Sequence, residues 1–472
     1  MRVPGAQFVP FARLALCVLC AGCGLVADLG ETRTYLPEAG PPADGSTRVP
    51  ADSSVDADVS DAMSADATDG TVVHGGDLRA LSLALGATHA CAIILASANS
   101  PENGTVRCWG SNTDGELGSM GGETSIPRTV QAMPGIPFGN ASSLALGSNA
   151  SCATTHSNVL FCWGLLSGLS PFGVDQQPAG GPNYQPAEMV VGGNPNSFTS
   201  ASIGDGGCAV MTSGELLCWG RTYAPVTQVE GGMVGGMPEG GVEEGGGGAF
   251  YSTYPSLGAA SVGRAHTCAL MTDGSNDVAC WGDNSRGQLG TPGIAGSVTP
   301  QPVGLATLAG SAVVEVAAGG DHSCAVLADL STYCWGANDV GQLGNGAVTD
   351  SATPTLVKFP RGLKARHVSL GNNHACARMA SRDSVQCWGD NSKGQLAQGS
   401  TLPFSATPRT VLKAAATNLP YVESVATGGD TTCATRNPSS AIAVSCWGDN
   451  TYGQAGQPAG VTPVWYATPM SL

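Results

Sequence analysis

The stretch Cys324-Ala325-Val326-Leu327-Ala328-Asp329-Leu330-Ser331-Thr332-Tyr333-Cys334-Trp335-Gly336 decides the fold. An apolar run reaches Leu327, polar Asp329 and Ser331 interrupt it, and a second run ends in Cys-Trp-Gly. Two short β-forming runs about a polar turn read as a hairpin. A turn centred on Asp329 sets Cys324 opposite Cys334, and opposed residues of an antiparallel pair lie within disulfide reach.

The unit recurs. Cys-Trp-Gly begins at Cys108, Cys162, Cys218, Cys280, Cys334, Cys387 and Cys446, at steps of 54, 56, 62, 54, 53 and 59 residues. Each copy follows a second cysteine: Cys91, Cys152, Cys208, Cys268, Cys324, Cys376 and Cys433. Three more lie near the N-terminus, so all 17 cysteines are accounted for. Seven pairs without remainder predict seven units, each stapled by a disulfide that contributes roughly 2–3 kcal/mol in the chain-entropy model. A metal site is the alternative, raised by His-x-Cys at His89, His266, His322 and His374. No unit offers four convergent ligands, and units two, three and seven lack the histidine. The histidines read instead as structural groups bonded to a turn, and no metal or cofactor is expected.

Near-identical loops follow four of the tryptophans, as in Trp281-Gly282-Asp283-Asn284-Ser285-Arg286-Gly287-Gln288-Leu289-Gly290. The full repeat is A/V-x-G-x-x-H-x-C-A, hairpin, C-W-G-x-N-x-x-G-Q-L-G, spacer, T-P-x-x-V. It resembles the repeat of the regulator of chromosome condensation family over about residues 78–472. That resemblance implies an all-β, seven-bladed β-propeller. The paired cysteines depart from the family's eukaryotic pattern and suit an oxidising compartment. Independently, short strands bounded by Gly and Asp, in units of about 55 residues, fit four-stranded antiparallel blades. Segments such as Thr353-Pro354-Thr355-Leu356-Val357 read as openings of new units. Unit one has none, so the terminal segment 468–472 is expected to complete blade one and close the ring.

The composition agrees. Gly and Pro make up about one residue in five of 472, and only 12% are charged, which argues against long helices. A net charge of −16 disfavours a phosphate-binding surface and hence a nucleic-acid partner.

Residues 1–22 read as a signal peptide, with Arg2 and Arg13 before an apolar run that is too short to span a bilayer. Ala21-Gly22-Cys23 resembles the bacterial lipobox, which implies acylation of Cys23. Gly24 in place of Asp favours the outer membrane or cell surface over inner-membrane retention. Residues 23–77 carry 11 acidic and two basic residues and few large apolar ones. That composition predicts a disordered acidic tether. Asp56 and Asp58 have a DxD spacing, but no glycine turn or closing glutamate follows, so a solvated spacer is the better reading.

Units two and three depart from the pattern. After Trp163 and Trp219 the Gly-Gln-Leu-Gly loop is missing, and a Gly-rich insertion precedes unit four. No Gly-Lys-Ser/Thr follows it, so it reads as a surface loop. Phe250, Tyr251 and Tyr254 follow as candidate partner-binding aromatics, or as packing for the next blade. His156 and Ser157 fall in a predicted turn, Glu243 and Glu244 in the flexible insertion, and no catalytic motif is present. The expected function is a monomeric, lipid-anchored propeller without catalysis, binding an unknown protein through its loops. A propeller hydrolase or lyase acting on polysaccharide is the alternative. The family's eponymous activity, guanine-nucleotide exchange, does not suit an exported acidic chain.

Overall fold

The computed structural model describes residues 79–95, 104–165, 183–189, 197–204, 206–220, 251–381, 384–399, 402–414, 417–436, 443–458, 460–470 and 472. The signal segment, Cys23 and the acidic tether lie outside these residues, as do Phe250 and most of the insertion.

Seven four-stranded antiparallel sheets follow one another along the chain. Blade one is Arg79–Leu85, His89–Leu95, Thr105–Gly110 and Thr124–Thr129. Blade seven is Val422–Gly428, Thr431–Arg436, Ala443–Gly448 and Val464–Met470. The first strand of every blade lines a common axis, where all seven meet around one cavity. This is a seven-bladed β-propeller.

Each cysteine pair joins directly opposed residues of the second and third strands. The seven disulfides have Cα–Cα distances of 4.0–4.1 Å, and every half-cystine is buried. The seven tryptophans beside them are the largest fully buried side chains, filling the wedges between blades. The glycine of Cys-Trp-Gly has a specific task. Gly336 sits at φ 105°, and a Cβ there would lie 2.6 Å from the Asp321 carbonyl, so only glycine ends the third strand this way.

Two expectations about the boundaries are overturned. The Thr-Pro segments end their own blades as fourth strands: Ser351–Leu356 pairs with the third strand of blade five. Correspondingly, segment 468–472 does not complete blade one. Thr468 pairs with Cys446 inside blade seven, and blade one has its own fourth strand, Thr124–Thr129. The proline segments were read as starts because they follow a long spacer, but that spacer is the loop between third and fourth strands. The Gly-rich insertion therefore lies inside blade three, between Leu216–Gly220 and Tyr251–Tyr254.

Candidate functional site

Antiparallel strands divide the connections between two faces. One face carries the turns from first to second strand and the Gly-Gln-Leu-Gly loops; the other carries the hairpin turns and the crossings from each fourth strand to the next blade. The axial cavity, about 240 Å³, opens toward the Gly-Gln-Leu-Gly face. Glycine, alanine and serine dominate its lining, and Arg264 is the one charged lining residue. Arg264 is already paired with Asp321.

The side chains that the repeat specifies meet between blades. The His266 Nε2–H donates to Ser323 Oγ in the next blade at 2.8 Å. Ser323 Oγ–H donates to the Gln288 carbonyl at 2.9 Å, and the Trp335 indole N–H reaches the same carbonyl at 2.9 Å. Because the serine proton is committed to the carbonyl, the histidine must be the donor, which fixes its tautomer. Blades one and two repeat this latch with His89, Ser151, Glu116 and Trp163. Between blades six and seven the histidine and tryptophan bonds recur, His374 to Thr432 Oγ1 and Trp447 to the Gln395 carbonyl. Of the latch, only the tryptophan bond is present between blades five and six, from Trp388 to Gln342, and at the ring closure, from Trp109 to Gln454, at 2.8 and 2.9 Å.

Glycine three residues before the histidine makes room for the ring. A Cβ at Gly319 would lie 2.9 Å from the His322 ring and 2.6 Å from the Gly371 carbonyl. The asparagine of each loop is likewise internal. Asn284 donates to the Thr291 and Ile294 carbonyls and accepts from the Leu289 N–H.

Burial holds these histidines neutral. His89 and His322 are lowered to about 3, His266 and His374 to about 4, because the charged ring would lose its hydration. His322 differs from the others: Ala375 stands where the latch needs Ser or Thr, and both ring nitrogens lack a hydrogen-bond partner. His367 goes the other way. Glu315 lies 2.8 Å from its Nδ1, and the Val425 carbonyl 3.1 Å from its Nε2. Burial opposes the charge, but these partners outweigh it and raise the pKa. Asp430 is raised by burial and by the nearby carboxylates of Asp390 and Asp449. Those two carboxylates each accept a loop amide, from Gln395 and Gln454, and so have structural work.

Three of the four His-x-Cys histidines, His89, His266 and His374, thus bond a neighbouring blade, rather than a turn as expected. Among the described residues no group of three or more His, Cys, Asp and Glu side chains is placed to hold a metal. Tyr254 is half-buried, its ring 5.3 Å from that of Trp281 in blade four, the contact that packing for the next blade calls for. Tyr251 sits in the same fourth strand, but its side chain, like Phe250, is outside the described residues.

Sequence reading missed a second feature. A β-bulge interrupts the pairing at the start of every first strand, as between Val313 and Glu315, Ala365 and His367, and Val422 and Ser424. Four of the extra residues, Thr199, Val314, Arg366 and Glu423, are exposed near the axis on the crossing face. A bulge re-aims one side chain without ending the strand. Its only sequence trace is a single polar or apolar residue out of alternation.

The family model for the regulator of chromosome condensation (RCC1) repeat matches residues 276–326 and 331–378, and a second model of that repeat matches 259–288, 313–342 and 365–395. The ultraviolet-B receptor UVR8 of Arabidopsis thaliana is 36% identical over 143 residues, 30% of this chain and 31% of the receptor. The chain thus spans about a third of that relative's length. The mitochondrial RCC1 domain-containing protein RUG3 of the same plant is 28% identical over 310 residues, 65% of this chain and 66% of RUG3. Among solved structures, Prp20p of Saccharomyces cerevisiae, reported with its binding to Gsp1p and histones, aligns with a TM-score of 0.62 at 18% identity. The alignment covers 79% of this chain and 87% of Prp20p. The chain carries RCC1 repeats, folded as a seven-bladed propeller.

Proposed function

We propose that the chain is a protein-binding propeller without a reaction of its own, exported and held at a bacterial outer membrane or cell surface by lipid on Cys23. The observation that carries this is how the repeat's reactive side-chain types are used. Histidine, serine and tryptophan side chains are engaged in bonds between blades, the glutamine side chain is held within its own loop, and small residues dominate the lining of the axial cavity. Connections that differ from blade to blade are then what distinguishes this propeller to a partner. The binding to Gsp1p and histones reported for Prp20p is a precedent for partners held by this fold. Seven disulfides suit an oxidising compartment, as the leader and lipobox require.

The test is affinity capture from cell-envelope extract with the mature body, intact and lacking 229–249. The deletion stops short of the fourth strand of blade three, Tyr251–Tyr254. A reproducible partner lost on deletion supports the binding reading. No partner, together with turnover of a polysaccharide panel, overturns it. Palmitate labelling of the full chain, abolished by Cys23→Ser, tests the anchor.

A further inference from the structure

The two faces of the ring differ in charge. On the Gly-Gln-Leu-Gly face stand Asp283, Asp321, Asp339, Asp350, Asp390 and Asp449. Of the cations there, Arg286 is bound to Asp350 at 2.5 Å and lies 3.4 Å from Asp339, and Arg264 is held by Asp321. The crossing from blade five to blade six is the reverse. Lys358, Arg361, Lys364 and Arg366 fall within nine residues, and all four are exposed.

This crossing leaves the outermost strand of blade five, Ser351–Leu356, and enters the axial strand of blade six, Ala365–Leu370. It therefore runs radially from rim to axis and carries its cations along that path. At the rim, Lys358 reaches back along the outer edge of blade five, its Nζ 3.6 Å from where a side chain on Gly346, in the connection from third to fourth strand, would begin. Midway, Lys364 Nζ is 3.9 Å from Asp329 in the hairpin turn of blade five, a distance at which an exposed pair contributes little. Arg366, at the axis, is the residue that the bulge turns outward. Arg361 sits at φ 54° in a single turn, Pro360–Gly362. Lys358, Arg361 and Arg366 have no carboxylate partner among the described residues, and the nearby Glu315 is occupied by His367. Exposed apolar side chains flank the path: Leu356 is 51% exposed at the rim end, Val314 43% and Tyr421 60% near the axis.

We propose that this radial strip docks an extended acidic segment of a partner protein, with carboxylates along Lys358, Arg361 and Arg366 and apolar side chains against Leu356, Val314 and Tyr421. This rests on the reading of the propeller as a protein-binding body and gives that reading a surface and a partner chemistry. A nucleic acid fits less well. Phosphate-driven binding grows with the number of phosphates neutralised, and the strip offers four cations between apolar ends. Charge flanked by apolar surface instead matches a peptide with mixed side chains.

The probe is a short fluorescein-labelled peptide of glutamates interleaved with leucines, titrated against the disulfide-intact mature chain by anisotropy. Lys358→Glu/Arg361→Glu/Arg366→Glu should weaken binding by about tenfold or more, with the Gln triple variant falling between. Lys393→Glu, on the opposite face, should leave it unchanged. Affinity should fall with added salt, because the contacts are solvent-exposed. Thermal melts of both triple variants that match the parent exclude misfolding. Equal binding by parent and triple variants overturns the proposal, as does tighter binding of phosphatidylglycerol vesicles or duplex DNA than of the peptide. A captured partner that binds the triple variant as well as the parent sinks the strip and leaves the binding reading standing; a strip-dependent partner supports both.

Discussion

Blades four to seven and blades two to three are built on the same strands and the same disulfide, yet they are joined differently. At the boundaries from four to five, five to six and six to seven, a tryptophan indole meets a loop carbonyl of the preceding blade. Blades two and three lack the Gly-Gln-Leu-Gly loop that supplies that carbonyl. The Trp281 indole nitrogen, next to blade three, finds no partner among the described residues, and Tyr254 packs against its ring instead. Blade-internal order and ring cohesion are thus separate properties. The disulfide hairpin secures the first in every blade, and the loop-to-tryptophan latch secures the second only where both halves are present.

The largest effect should come from the end of the chain. Removing 464–470 takes the fourth strand from blade seven, and the edge it leaves belongs to the blade that closes the ring on blade one. The cooperative thermal transition should be lost by calorimetry, whereas removing 229–249 should leave it in place. Equal behaviour of the two deletions would erase the distinction between latched and unlatched sectors.

Acid comes next. In the unfolded chain the four buried histidines titrate near 6.5, and the fold lowers two to about 3 and two to about 4. Between those values the unfolded chain binds more protons, so their contribution is complete above about 6.5 and lost as pH falls. His367, raised beside Glu315, runs opposite, contributing fully below about 6.5 and losing that contribution as pH rises through its folded value. It is one group against four. The urea midpoint should therefore fall between pH 7 and pH 4.5. All four histidines lie outside blades two and three, so hydrogen exchange should show blades four to six loosening before blade three.

Smaller effects compare single boundaries. Trp335→Phe removes a latch bond and Trp281→Phe removes none, so the first should cost about 1–2 kcal/mol more than the second by denaturant unfolding. Ser323→Ala, which strands His266 Nε2, should cost about 1 kcal/mol. Smallest, and opposite in sign, Ala375→Ser gives His322 the acceptor it lacks and should stabilise by about 0.5–1 kcal/mol. A destabilised Ala375→Ser chain would mean that the latch geometry does not extend to the boundary between blades five and six.

Much of this was legible in the chain before folding. Blade number, disulfide pairing and hairpin register followed from cysteine arithmetic, because a pairing inside one hairpin is local. The proline segments misled, because sequence order along a repeat does not say where one blade ends. Only the pairing of Thr468 with Cys446 assigns the last strand to blade seven. The partner of each histidine was invisible for the same reason. It lies in the next repeat, about 60 residues on, and Gly-x-x-His-x-Cys reads the same whether Ser323 or Ala375 stands across the boundary.

By itself, then, the sequence determined a seven-fold array of stapled β-hairpins, since residue spacing, turn chemistry and cysteine pairing act within one unit. The tertiary structure alone decided how the units join, which boundaries are latched, and which residues the bulges expose around the axis. It also laid four cations, clustered in the sequence, along the crossing from rim to axis. Each of those depends on contacts between blades, or on one backbone irregularity per strand, and neither leaves a periodic mark in the sequence.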